Sequence, residues 1–129
     1  MRKCLVLIIC LALAGSALAH RASSFVKGPN GGHIVDAGGG AQHFELVASG
    51  SELTLYVTDK DEKPIPTAGG GATAQVLVSG KTHRVTLTPA GGNILRGKGG
   101  FTAAKGMRVI VKTSKIGGKS YQVRMTPLN

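Results

Sequence analysis

The sequence predicts an all-β protein, an immunoglobulin-like antiparallel β-sandwich of about seven short strands. Two observations carry this expectation. Short runs alternate apolar and polar residues with a period of two, each bounded by Gly, Asn, Pro or Asp, and they recur at roughly even spacing. Glycine makes up 20 of the 129 residues, which disfavours helix interiors, and no segment reads as a long amphipathic helix. With no Trp in the chain, the core must rest on Leu, Val, Phe and Met.

The first 19 residues stand apart from that pattern. Met1, Arg2 and Lys3 form a basic start, residues 4–14 are an almost unbroken apolar run, and Ala17-Leu18-Ala19 supplies the small-x-small pattern of a signal-peptidase site. The apolar run is shorter than the roughly 20 residues that span a bilayer. Residues 1–19 therefore read as a cleaved signal peptide, giving an exported, periplasmic protein that begins at His20 and has no transmembrane segment after cleavage. Both cysteines, Cys4 and Cys10, leave with the signal, which removes a disulfide framework and a thiolate metal site from consideration.

Residues 20–30 read as a flexible arm, followed by one domain over 31–129. A short strand is expected at 33–36. The run 41–48 sets Phe44, Leu46 and Ala48 against His43, Glu45 and Val47, and 51–58 sets Leu53, Leu55 and Val57 against Thr54, Tyr56 and Thr58. Ser49-Gly50 between them signals a hairpin. A charged turn at 59–64 ends in Pro64, and with Pro66 it marks an edge or loop. Strands follow at 73–78 and 81–88, joined by Ser79-Gly80. Residues 89–100 are mostly turn, interrupted by Ile94-Leu95. The last two strands start near Met107 and Tyr121, with Gly117-Gly118 between them.

Charge is divided along the chain. Loss of Arg2 and Lys3 lowers the formal net charge from +10 to +8. All six acids lie before residue 63, where only Arg21, Lys27 and Lys60 oppose them, whereas eleven Lys and Arg and no acid follow from Lys63 onward. A basic half of this kind points to docking on an acidic protein of the envelope or an anionic surface. Nucleic acid is excluded as a partner by the compartment and by the lack of an aromatic stacking platform, and a monomer is expected.

Enzymatic motifs fail on inspection. Gly80-Lys81-Thr82 imitates the end of a phosphate-binding loop, but Gln75 stands where the first glycine belongs and a strand follows instead of a helix. Gly97-Lys98-Gly99 opens like a dinucleotide fingerprint, with Thr102 in place of the third glycine. No G-x-S-x-G elbow surrounds Ser49 or Ser51, and the crowded acids of the 59–62 turn are poorly placed for acid–base work. The chain is not expected to be an enzyme.

The four histidines are the remaining chemistry. Without Cys, a zinc or copper site must be built from imidazole, carboxylate or the terminal amine. His43 and Glu45 are the best pair, because residues i and i+2 of a strand point the same way about 6.5–7 Å apart. His33, or Asp36, completes the site if strand 33–36 pairs with strand 41–48. His20 forms a separate candidate, its imidazole and freed α-amine chelating together. His83 shares the parity of Val85 and Leu87 and reads as a half-buried structural histidine.

Several segments, taken together, carry a resemblance: Gly28-Pro29-Asn30-Gly31-Gly32, Phe44-Glu45-Leu46, Leu53-Thr54-Leu55-Tyr56-Val57, Asp61-Glu62-Lys63-Pro64-Ile65, then Leu87-Thr88-Pro89-Ala90-Gly91-Gly92-Asn93, Leu95-Arg96-Gly97 and Phe101. Their order resembles the small β-sandwich domain near the N-terminus of periplasmic adaptor proteins of cobalt-zinc-cadmium and copper efflux systems. That resemblance implies a stand-alone accessory domain, since the helical hairpin, lipoyl-like part and barrel of such adaptors are missing. The function expected from the sequence is thus a binding module for a divalent or copper ion in envelope metal handling. The alternative is a metal-free module that docks through its basic half.

Overall fold

Period-two alternation dictates strands with one face inside, and the computed structural model, which describes residues 25–129, shows eight of them. They are β1 (His33–Ala37), β2 (Gln42–Ser49), β3 (Glu52–Asp59), β4 (Gly71–Val78), β5 (Lys81–Pro89), β6 (Ile94–Lys98), β7 (Arg108–Ser114) and β8 (Gln122–Met125). The signal-peptide segment and His20 lie outside the described residues. All pairings are antiparallel, in the order β1-β2-β3-β6-β5-β4-β7-β8. The chain is all-β as expected, but it forms one continuous eight-stranded order nearly closed as a barrel, in place of a seven-stranded two-layer sandwich. The eighth strand is β6, which the sequence shows only as Ile94-Leu95 among turn residues. Its apolar content is too short to display alternation, and its neighbours β3 and β5 define it.

Strands β4, β5 and β6 form a meander, and β7 returns beside β4, so this half is a Greek key. The interior is filled by the inward set of every strand, led by Phe44, Leu46, Leu55, Val76, Leu87 and Val111, all with at most 1% exposure. The β4–β5 turn has two residues, Ser79 and Gly80, both at positive φ, as a tight hairpin matched to the strand twist requires. The β2–β3 turn is Gly50-Ser51, one residue later than expected.

The crossover from β3 to β4 is fixed by polar contacts at one end of the barrel. Thr67, fully buried, donates its hydroxyl to the Ile94 carbonyl at 2.8 Å, and Asn93 Nδ2 donates to the Val57 carbonyl at 3.1 Å. Gln42 Nε2 donates to the Ile116 carbonyl at 2.9 Å, tying the β7–β8 turn to the start of β2. The two halves of the sheet meet at β5. Its length from Lys81 to Leu87 pairs with β4, while only Thr88 and Pro89 pair with β6. Where β5 and β6 part, Gly97 lies so close to the Thr86 carbonyl that a Cβ would collide with it.

The ends of the order, β1 and β8, face each other across a seam. No ladder joins them, but the Thr126 N–H donates to His33 Nδ1 across it at 2.9 Å. Residues 25–27 lie along the free edge of β1, with the Ile34 N–H donating to the Val26 carbonyl at 2.9 Å and Lys27 bridging His33. From Phe25 on, the segment expected as a flexible arm is therefore hydrogen-bonded to the barrel, because the free edge of β1 needs partners for its backbone groups. Among the described residues, no helix is long and apolar enough to cross a membrane.

Replacing Gly97 by Ala is expected to lower stability by about 1–3 kcal/mol through the forced shift at the β5–β6 corner. Gly100→Ala, where the nearest atom lies 3.9 Å from the new Cβ, is expected to be near neutral. Urea unfolding midpoints of the two variants measure the difference.

Candidate functional site

Register decides which of the chemistry-bearing side chains share a face. In the β1–β2 pair, Asp36 stands opposite His43, Ile34 opposite Glu45, and His33 opposite Leu46. Directly opposed residues of an antiparallel pair project to the same side. Asp36, His43 and Glu45 are thus on the outer face, whereas His33 shares the inner face with Leu46. His43 Nε2 and Asp36 Oδ1 are 3.4 Å apart on the surface.

Glu45 lies on the outer face yet is only 4% exposed. The 28–32 loop folds over it. One carboxylate oxygen accepts the backbone N–H groups of Asn30 at 2.8 Å and Gly32 at 2.9 Å, and the other accepts Asn30 Nδ2 at 2.9 Å. A Cβ on Gly28 would collide with the Glu45 carboxyl group, so the loop closes only with glycine there. The carboxylate that sequence reasoning nominated as a metal ligand is the anchor of this loop. Its parity was legible. Its burial was not, because the donors are mostly backbone amides of a distant segment.

His33 is 8% exposed and stacks on Phe25, with ring centroids 5.0 Å apart. Since a backbone N–H can only donate, the Nδ1 atom facing Thr126 carries a lone pair, and the neutral ring bears its proton on Nε2. Burial holds the His33 pKa below its ordinary value. His83 is half-buried, its ring centroid 6.4 Å from that of Phe101. The four sequence candidates for a zinc or copper site are therefore not gathered. His43 meets Asp36, Glu45 is engaged by the loop, His33 faces the other way, and His20 lies outside the described residues. Among the described residues, no group of three or more His, Cys, Asp or Glu side chains is assembled to hold a metal ion.

What the fold does assemble is a cationic face. On the outside of β5, β4, β7 and β8, Arg84, Gln75, Ile110 and Arg124 form one cross-strand row, and Thr86, Thr73, Lys112 and Gln122 form the next. Arg108 stands opposite Leu77 in the row on the other side of the first, toward the β4–β5 turn. Arg84, Arg108, Lys112 and Arg124 are all exposed. No acid occurs in any of these strands, and a broad open groove of about 850 Å³ runs over their Thr, Gln and Ser side chains. The carboxylates lie elsewhere. Asp36, Glu45 and Glu52 belong to β1–β3, where Glu52 Oε1 lies 3.6 Å from Arg96 Nε of the neighbouring β6. Asp59 ends β3, and Asp61 and Glu62 crowd the turn that follows. There the Lys63 N–H, helped by the Asp61 N–H and the Lys63 and Lys60 charges, holds the Asp59 carboxyl below the ordinary carboxylate range.

Two outcomes test these assignments. Glu45→Ala is expected to destabilise the fold by about 2–3 kcal/mol, because it strands the loop N–H groups. The loss should be the same with and without added Zn²⁺ in thermal unfolding, whereas a metal ligand would show it only in the metal-bound protein. His33 has a lowered folded pKa, so the unfolded chain binds the proton more readily. Its contribution to stability is whole above about pH 6.5, the unfolded value, and is lost as pH falls from there through the folded pKa. Unfolding midpoints measured from pH 7.5 downward should fall in that window, and the slope should flatten in His33→Gln.

No family model, no curated protein and no solved structure matches the chain, so the likeness to adaptor-protein domains rests on the residues that suggested it.

Proposed function

We propose that the protein is an exported, non-enzymatic binding module that docks on an anionic phospholipid surface through the outer face of β5, β4, β7 and β8. One observation carries this reading: Arg84, Arg108, Lys112 and Arg124 converge on a single acid-free face. Each cation near an anionic lipid surface contributes about 1 kcal/mol, and the four together about 4 kcal/mol, which corresponds to a dissociation constant near 1 mM. A protein partner is less well matched. Hot spots of protein interfaces are enriched in Trp and Tyr as well as Arg, and this face has no aromatic side chain. The basic residues are also separated by threonines and glutamines at strand spacing, which suits a diffuse layer of phosphates better than one carboxylate pocket. The signal-like start of the sequence supports the export that this reading requires.

The metal-handling role expected from the sequence keeps only the His43–Asp36 contact on its side, and two groups make a weaker case than a whole face.

Co-sedimentation with vesicles tests the proposal. Binding is expected to vesicles of phosphatidylcholine mixed with phosphatidylglycerol, to weaken steeply as salt is raised, and to be absent with phosphatidylcholine alone. Arg84→Gln and Arg124→Gln should each weaken it about fivefold, the equivalent of ~1 kcal/mol. Equal retention on neutral vesicles, or binding only to an acidic protein, would overturn the lipid reading.

A further inference from the structure

Among the described residues, two large apolar side chains are exposed, Val26 at 52% and Leu77 at 43%. Val26 belongs to the segment beside β1. Leu77 sits on the cationic face itself, opposite Thr82 of β5 and Arg108 of β7, at the end of β4 just before the Ser79-Gly80 turn. A single exposed leucine is ordinary on a protein surface. Its surroundings are what distinguish it.

Beside Leu77 a notch of about 390 Å³ opens between the β4–β5 turn and the β6–β7 loop, floored by Val78, Ala104 and Met107 and rimmed by Lys105 and Arg108. Lys81 follows the turn. This end of the barrel is also far from the acidic turn. β3 starts beside the Gly50-Ser51 turn, which the Ala103 N–H and the Gly99 N–H hold against the β6–β7 loop, and it runs to Asp59 at the opposite end. The β4–β5 end therefore presents an apolar tooth flanked by Lys105 and Arg108, and the acid at this end, Glu52 at the start of β3, faces Arg96.

We infer that Leu77 is a membrane anchor and that the protein meets an anionic phospholipid bilayer tilted, with its β4–β5 end inserted. The inference rests on the docking reading above and specifies its orientation and its apolar contact. Lys105 and Arg108 lie at the level of the lipid phosphates, and the Leu77 side chain passes beneath them toward the acyl boundary. Long basic side chains suit that geometry because their stems are apolar and their heads reach back to the charge layer. A bilayer is the occupant that one tooth fits. A stable protein interface needs about 800 Å² on each partner, whereas a lipid surface accepts a single inserted side chain.

The absence of Trp from the chain makes single-Trp reporters clean. Leu77→Trp should show a blue-shifted emission and protection from an aqueous quencher on phosphatidylglycerol-containing vesicles, while Thr86→Trp, in the middle of the face, should stay solvent-accessible. Leu77→Ala should weaken vesicle binding about tenfold, the effect of losing roughly half the burial of a leucine, with its salt dependence unchanged. Leu77 lies outside the core, so unchanged thermal unfolding of both variants is expected and excludes misfolding as the cause. If the unmodified protein binds these vesicles but Leu77→Trp stays quenchable, or Leu77→Ala binds equally well, the anchor is disproved while surface docking stands. If the unmodified protein does not bind, the docking reading itself fails.

Discussion

The structure depends on strand parity. A small barrel without Trp or Cys must send every alternate residue of every strand inward to fill its interior, so charge is admitted only at the outward positions and in the turns. The chain order then does the rest. The first three strands are neighbours, and four of the last five, β5, β4, β7 and β8, form the opposite flank. A sequence that is acidic early and basic late is folded by this order into a body with acids on one side and bases on the other. The exception is β6, which crosses to β3 and brings Arg96 within 3.6 Å of Glu52. It stitches the two charge regions together at their boundary.

Most of the fold was legible in that alternation. The inward sets of β2, β3, β4 and β7 follow from the sequence, and strand ends differ from expectation by a residue or two. The face of His33 was not legible, and the reason is specific. Pairing β1 with β2 is suggested by proximity, but its register is set by the Gly38–Gly40 turn and Ala41, whose length in the hairpin the residues do not announce. A slip of one residue exchanges the two faces of a strand. An expected partner of His43 is thereby placed inside, where it closes the seam to Thr126. Register and the loop thus separate His33 and Glu45 from His43, whose neighbour across the pair is the other expected residue, Asp36.

Glu45 shows a second limit. Parity puts it outside, and outside normally means solvated. A loop of Gly, Pro and Asn residues folds over it, and a carboxylate that accepts three N–H groups is a better partner for that loop than water, which would leave the covered amides unpaired. The sequence carries a trace of this in Gly28, the position where a side chain would meet the carboxyl group. The segments Gly28–Gly32 and Phe44-Glu45-Leu46, which suggested an adaptor-domain likeness, are two halves of this one structural contact. They account for how this loop folds and say nothing about a ligand.

The acids on β1–β3 do not cancel the cationic face, and distance explains why. Opposite faces of a barrel are separated by at least the roughly 10 Å between packed sheets, while the Debye length at physiological ionic strength is about 8 Å. An anionic surface touching β5, β4, β7 and β8 therefore interacts with their cations and is largely screened from Asp36 and Asp61. The same length limits how many cations act together. Arg108 and Lys112 are four residues apart on β7, about 13 Å along the strand, so a barrel standing upright on its β4–β5 end would lose most of the Lys112 contribution. A barrel lying flat would engage all four cations but would leave Leu77 at the edge of contact. A tilt reconciles the two, since it keeps Arg84 and Arg108 near the phosphates while the leucine enters below them. In the proposed docking, charge alone would give only a complex of about millimolar affinity, so the apolar contribution of one side chain would be large enough to decide the orientation.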